Sequence, residues 1–190
     1  MPTGKGRTVY QLNSLFNHRY YEPSLRTLPV PALLIRQKSE AWDHPFIAVY
    51  EPYGNGAKSQ IRSVYTSKTP KQKGVAKLSV EYFKKDKMDH IIHSVNEKTE
   101  AKYMGIRFMG TYCVVTMEKG RLVSLYIGNG YSFSMDGLEV SLDEGKPFDV
   151  WLEWRDGEWI CHSREIITFL YHEDYLLNIV RLMRGDCRAS

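Results

Sequence analysis

The sequence predicts a mainly β fold: an antiparallel β-sandwich of about ten or more strands with one short C-terminal helix. Three observations carry this. Apolar and polar residues alternate with period two through most of the chain from Ala76 to Trp154. Gly, Asn and Asp punctuate those runs at short intervals. Near the end the apolar period lengthens to that of a helix.

The elements follow in order. Strands are expected near Ala32 to Arg36, Phe46 to Tyr50, Ile61 to Tyr65, Val75 to Phe83 and Met88 to Val95. Phe46 to Tyr50 is an unalternating apolar run between Pro45 and Pro52, which predicts a strand covered on both faces. In the next strand Ala76, Leu78, Val80 and Tyr82 point to the core, and Lys77, Ser79 and Glu81 to water. Met104, Ile106, Phe108, Tyr112 and Val114 share a face opposite Tyr103, Arg107 and Thr111. Val123, Leu125 and Ile127 form another set, then Tyr131, Phe133 and Met135, then Leu138, Val140 and Leu142. Phe148, Val150, Leu152 and Trp154 close the series. Gly128-Asn129-Gly130, Asp136-Gly137 and Asp156-Gly157 read as hairpin turns, because Gly, Asn and Asp accept positive φ. Glu118-Lys119-Gly120 is a further tight connection. Leu176, Ile179, Val180 and Met183 recur at i, i+3, i+4 and i+7, so residues 171–185 are expected to form a helix packed on the sheet. The whole of 1–190 reads as one domain, with flexibility expected at residues 1–10, 54–56, 67–74 and after Gly185.

Composition sets the class. Hydrophobic residues make up 43% of the chain and charged residues 25%, an ordinary globular balance. The net charge of +4 is mild, but Lys68, Lys71, Lys73, Lys77, Lys84, Lys85 and Lys87 form a run opposed only by Glu81 and Asp86. Such a run attracts polyanions. Cys113, Cys161 and Cys187 have no metal-binding spacing, and the first two are expected in the core. The first residues carry no apolar signal region, and no stretch approaches the roughly 20 apolar residues of a bilayer span. Membrane association is not expected.

Candidate chemistry is sparse. His90 and His93 are spaced for a metal on a helix, but on a strand the odd spacing sends them to opposite faces. No metal site and no cofactor are expected. Asp43-His44 resembles an oriented imidazole, and Glu51 a base; both also read as turn and strand-end residues. Aromatic side chains are the better binding signal. Trp154 alternates into the core set, which leaves Trp151, Trp159 and Tyr53 as exposed rings able to stack on sugars or bases. Tyr53, Trp151 and Trp159, with Lys71, Lys73 and Lys77, are therefore the expected ligand-binding residues.

Three segments carry a family resemblance: Pro31-Ala-Leu-Leu-Ile-Arg36, His44-Pro-Phe-Ile-Ala-Val-Tyr-Glu-Pro52 and Ser59-Gln-Ile-Arg-Ser-Val64. With Gly105 to Gly110, Leu125 to Gly130 and Met135 to Gly137, they resemble the C-terminal β-region of heparinase II/III-type polysaccharide lyases over residues 28–145. In that family an α/α toroid precedes the β-domains and supports the catalytic His and Tyr. The sequence has no toroid pattern, so the resemblance carries over no catalytic residue. It implies an accessory domain that braces a catalytic toroid module or binds acidic polysaccharide, in a periplasmic or extracellular setting. Two alternatives remain from the residues. One is a free-standing lyase acting by β-elimination on uronic-acid glycans, with Tyr53, His44 and Arg36 as first candidates. The other is a nucleic-acid-binding β-barrel using the same lysines and rings.

Overall fold

The structure is a computed structural model. It describes the backbone of residues 7–15, 29–37, 47–51, 56, 58–67, 72–141, 145–163, 167–173, 176–182 and 185–189, and side chains within 47–163 only. The chain divides into two compact units, Met1–Ala41 and Trp42–Ser190.

The first unit holds an antiparallel pair, β1 (Arg7–Leu15) with β2 (Pro29–Gln37), in register from Arg7 opposite Gln37 to Leu15 opposite Pro29. The expected strand over Ala32 to Arg36 lies within β2. Strand β1 begins inside the stretch expected to be flexible.

The second unit contains β3 (Ile61–Thr66), β4 (Val75–Tyr82), β5 (Lys87–Ser94), β6 (Glu100–Tyr103), β7 (Ile106–Glu118), β8 (Arg121–Met135) and β9 (Leu138–Ser141). It continues with β10 (Phe148–Arg155), β11 (Glu158–Ser163), β12 (Ile167–Glu173), β13 (Leu176–Leu182) and β14 (Gly185–Ala189). All are antiparallel and join in one 12-stranded sheet. Its main path runs β13-β12-β9-β8-β7-β5-β4-β3, with β10, β11 and β14 branching from β8, and β6 from β7. The long β7–β8 hairpin changes partners along its length. Its turn-proximal half pairs with β5 and β10, and its other half with β6 and β9. Both halves feed one buried cluster. Phe108, Phe133 and Val140 come from one side, and Ile92, Leu125 and Leu152 from the other.

The turn chemistry holds at three points. Lys119-Gly120, Asp136-Gly137 and Asp156-Gly157 all have positive φ and close the β7–β8, β8–β9 and β10–β11 hairpins. Gly128-Asn129-Gly130 differs. It lies inside β8, at a bulge where Met109 and Gly110 pair with Ser132 and Gly130. Asn129 takes φ 51° there without reversing the chain. Its Nδ2 donates to Glu97 Oε2 at 2.7 Å and Thr111 Oγ1 at 2.8 Å, and Tyr131 OH donates to Glu97 Oε1 at 2.8 Å. The bulge also corrects the expected parity of β7. Ile106 and Phe108 are buried before it and Cys113 and Val115 after it, so Tyr112 emerges on the outer face. A bulge sets two residues against one and so reverses the side-chain order.

Three other expectations are corrected. Residues 47–51 form no strand, and Tyr50 is 81% exposed. The Glu51 carboxylate instead accepts from Ser59 and from the Gln60 and Ile61 N–H groups, fixing the start of β3. In β4 both faces are buried. Ser79 lies in the cross-strand row Tyr65–Ser79–His90–Val115, so its face turns to the core and not to water. The helix expected over 171–185 is instead the β12–β13 pair, followed by the start of β14. Its apolar residues suit a helical stripe and a strand equally over so short a run. The β12–β13 pairing, with Tyr171 opposite Asn178 and His172 opposite Leu177, decides for strand.

Candidate functional site

The core does not extend to the β3 edge of the sheet. Along one inward row, Leu125 and Val115 are aliphatic, His90 and Ser79 follow, and Tyr65 is half-exposed. The β6–β7 hairpin forms the facing wall. Between them lies a groove of about 870 Å³ lined by Tyr65, Ser79, Glu81, Met88, Tyr103, Ile106 and Arg107 among others. Met104 and Gly105 take positive φ in the two-residue turn between β6 and β7, which presents Lys102, Tyr103 and Arg107 on this wall. Met104, expected in the core, is therefore exposed.

A polar chain crosses the floor. Ser79 Oγ lies 2.7 Å from His90 Nδ1 and 2.7 Å from Tyr103 OH. His90 is 5% exposed, and burial lowers its pKa against the opposing pull of Asp89. The imidazole is thus neutral near pH 7. In that state Ser79 can donate to Nδ1 and accept from the Tyr103 phenol. Charge gathers at the rim. Tyr65 OH and Arg62 Nη1 donate to the Glu81 carboxylate at 2.7 and 3.1 Å. Glu100 Oε1 holds Arg107 Nε at 2.9 Å and sits 3.8 Å from Lys102 Nζ. Lys77 Nζ donates to the Lys102 carbonyl at 3.0 Å, and burial lowers its pKa. Among the described residues, Arg62, Lys77, Lys102 and Arg107 gather here with the carboxylates of Glu81 and Glu100, an excess of positive charge.

The expected binding residues separate. Lys77 borders the groove. Lys73 is exposed beside a smaller hollow lined by Gln72, Val95 and Thr99. Lys71 and Tyr53 lie outside the described residues, as do Trp42 and His44. Lys85 pairs with Glu118 and Lys87 sits over the Tyr82 ring, so the described lysines of the run do not converge on one patch. Trp151 is 43% exposed on the outer face of the sheet. Trp159 is a correction: it is buried. Strand β11 is flanked by β10 and β14, so Trp159 is interior, with its ring edge-on to Trp154 at 5.4 Å. Trp154 is the half-exposed member, because β10 runs past the core before ending at Arg155. The groove residues Tyr65, Tyr103, Lys102 and Arg107 were missed. The i, i+4 recurrence of Tyr103 and Arg107 around Met104-Gly105 was the available signal.

His90 and His93 fall on opposite faces of β5, one buried and one exposed, as strand spacing requires. Cys113 and Cys161 are buried core thiols, and burial pushes the Cys113 pKa up.

Two comparisons with known proteins bear on the groove and the strands around it. Residues 61–153, from β3 into β10, match the family model of the endo-acting ulvan lyase C-terminal domain. The chain is also similar to an endo-acting ulvan lyase of Formosa agariphila, 36% identical over 110 residues. That alignment covers 54% of this chain and 13% of the relative, so the chain spans a small part of its length. The lyase C-terminal β-region that the resemblance implied is thus matched through the ulvan lyase family. No solved structure matches.

Proposed function

We propose that this chain is a non-catalytic β-domain of a polysaccharide lyase whose groove holds an acidic polysaccharide, ulvan first among the candidates. One observation carries the reading: two phenols, Tyr65 and Tyr103, share a groove with the basic rim of Lys102 and Arg107. Rings stack on the apolar faces of sugars, and cations at a groove rim draw in anionic chains. The match over residues 61–153 supports it, because both walls lie within that span. The reading includes a two-layer sandwich, in which the β7–β8 hairpin bends at its bulge and the groove lies between the layers. It also includes the expectation that a catalytic module, such as a toroid of the heparinase II/III type, belongs to the same longer chain.

Calorimetric titration with ulvan and heparin tests the groove. Affinity is expected to fall as salt rises, since exposed charges are screened. Lys102→Ala and Arg107→Ala should each weaken binding about two- to fivefold, the scale of an exposed charge contact. No affinity for either polyanion, or affinity that both variants keep, would reduce the domain to a bracing role.

A second reading, a free-standing lyase, is favoured by the Tyr103–Ser79–His90 chain. A phenol oxygen taking a proton from a carbon beside a uronate carboxylate can pass its own through Ser79 to neutral His90. Lys102 or Arg107 would neutralise the carboxylate, and the departing glycosidic oxygen would take a proton back. Ultraviolet-absorbing unsaturated products from ulvan, abolished in Tyr103→Phe, are its requirement; their absence with wild-type protein rejects it.

A further inference from the structure

On the face of the sheet opposite the core, five rings from five neighbouring strands form one row: His93, Tyr112, Tyr126, Trp151 and His162. The register sets His93 opposite Tyr112, Trp151 opposite Tyr126, and His162 opposite Trp151. Ring centroids are 6.4 Å apart for His93 and Tyr112 and 6.1 Å for Tyr112 and Tyr126. Trp151 stacks on His162 at 4.8 Å. The Trp151 indole N–H donates to Ser124 Oγ at 3.2 Å, which fixes that ring. Tyr112, Tyr126 and Trp151 all stay more than a third exposed. At roughly 4.8 Å between strands the row is about 19 Å long, enough for several pyranose rings laid across the strands. Aligned exposed aromatics of this extent mark a binding surface.

The charge around the row selects the ligand. Along their strands, the same-face neighbours of these rings include Ile91, Val114, Ser124 and Ile160, with Asp149 and Glu153 on either side of Trp151. None is Lys or Arg. Arg155, at the end of β10, is engaged by Glu153 at 2.6 Å. With Glu153 ion-paired to Arg155, Asp149 is the carboxylate that repels a carboxylated or sulfated sugar, and both carboxylates can accept hydroxyl donors from an uncharged one.

We propose that this row is a second saccharide site, separate from the groove, which takes an uncharged stretch of glycan with its apolar ring faces on Tyr126 and Trp151. Titration of the full chain with xylohexaose and cellohexaose at low and moderate salt tests it. Binding of at least one of the two, indifferent to salt, is expected. The double variant Tyr126→Ala/Trp151→Ala should weaken it about tenfold, the scale of losing aromatic contacts. Trp151→Phe should keep most of it, and Lys102→Ala/Arg107→Ala should leave it unchanged. An unaltered thermal midpoint in Trp151→Phe separates a binding effect from loss of fold. No binding of either neutral oligosaccharide, binding that the double variant keeps, or self-association abolished by that variant would each overturn the proposal. None of these outcomes affects the groove, whose failure shows only in heparin and ulvan binding.

Discussion

His90 lacks the water that would solvate an imidazolium, and its pKa therefore falls below the ordinary value of 6.5. The unfolded chain binds a proton on this ring at a pH where the folded one does not. Stability from this group is thus fully present above the unfolded value and is lost as pH falls below it. The thermal midpoint is expected to drop as pH is lowered from about 6.5. His90→Gln should flatten that dependence, since an amide keeps a hydrogen bond to Ser79 without titrating; an unchanged slope would argue against it. Tyr82 shows the same physics on a phenol: burial, with its hydrogen bond to Asp89, pushes its pKa up to about 12. At this scale the sequence was legible where chemistry is local. His90 and His93 part company because strand geometry alone separates them. Ser79 was not legible, because a serine in a period-two pattern reads as wet unless its cross-strand neighbours are known.

The β7–β8 bulge is where elements depart from their patterns. A Cβ on Gly110 would stand 2.5 Å from Phe108 Cζ and 2.6 Å from Gly130 Cα, and Gly110 has φ 155°. Gly110→Ala is expected to destabilise the protein by about 2–4 kcal/mol, because a backbone atom stands in the way. Denaturant unfolding measures this, and a loss below 1 kcal/mol would show that the hairpin relaxes freely. Asn129, Thr111, Glu97 and Tyr131 brace the same point, and hydrogen bonds from Asn129 and Tyr131 hold the Glu97 pKa down. Of Gly128-Asn129-Gly130, Asn129 takes the positive φ the sequence predicts, but in a bulge and not in a chain reversal. Positive φ serves a bulge as well as a turn, and the flanking sequence does not distinguish them. The residues expected to be helical depart for a related reason, since their strand character comes from the pairing of β12 with β13 and of β14 with β11, and not from their own period.

Among the described residues of the second unit, the groove rim carries more cations than carboxylates, while Asp149 and the Arg155-paired Glu153 flank Trp151 in the outer row. On the two proposals above, these surfaces take different parts of a mixed glycan. Their ligands should not compete: saturating xylohexaose is expected to leave heparin affinity unchanged, and mutual displacement would mean that one surface binds both. The sequence by itself determined the antiparallel strands from Ile61 to Ser163, three of the hairpin turns and most of the buried aliphatic residues. Those features follow from period-two alternation and from residues that tolerate positive φ, both of which act within a few residues. Only the tertiary structure decided that Trp159 is interior while Trp154 is not, that β7 reverses its faces midway, and that Tyr103 meets His90 through Ser79. Each depends on which strand lies alongside, and cross-strand register is a property of pairing that no single segment encodes.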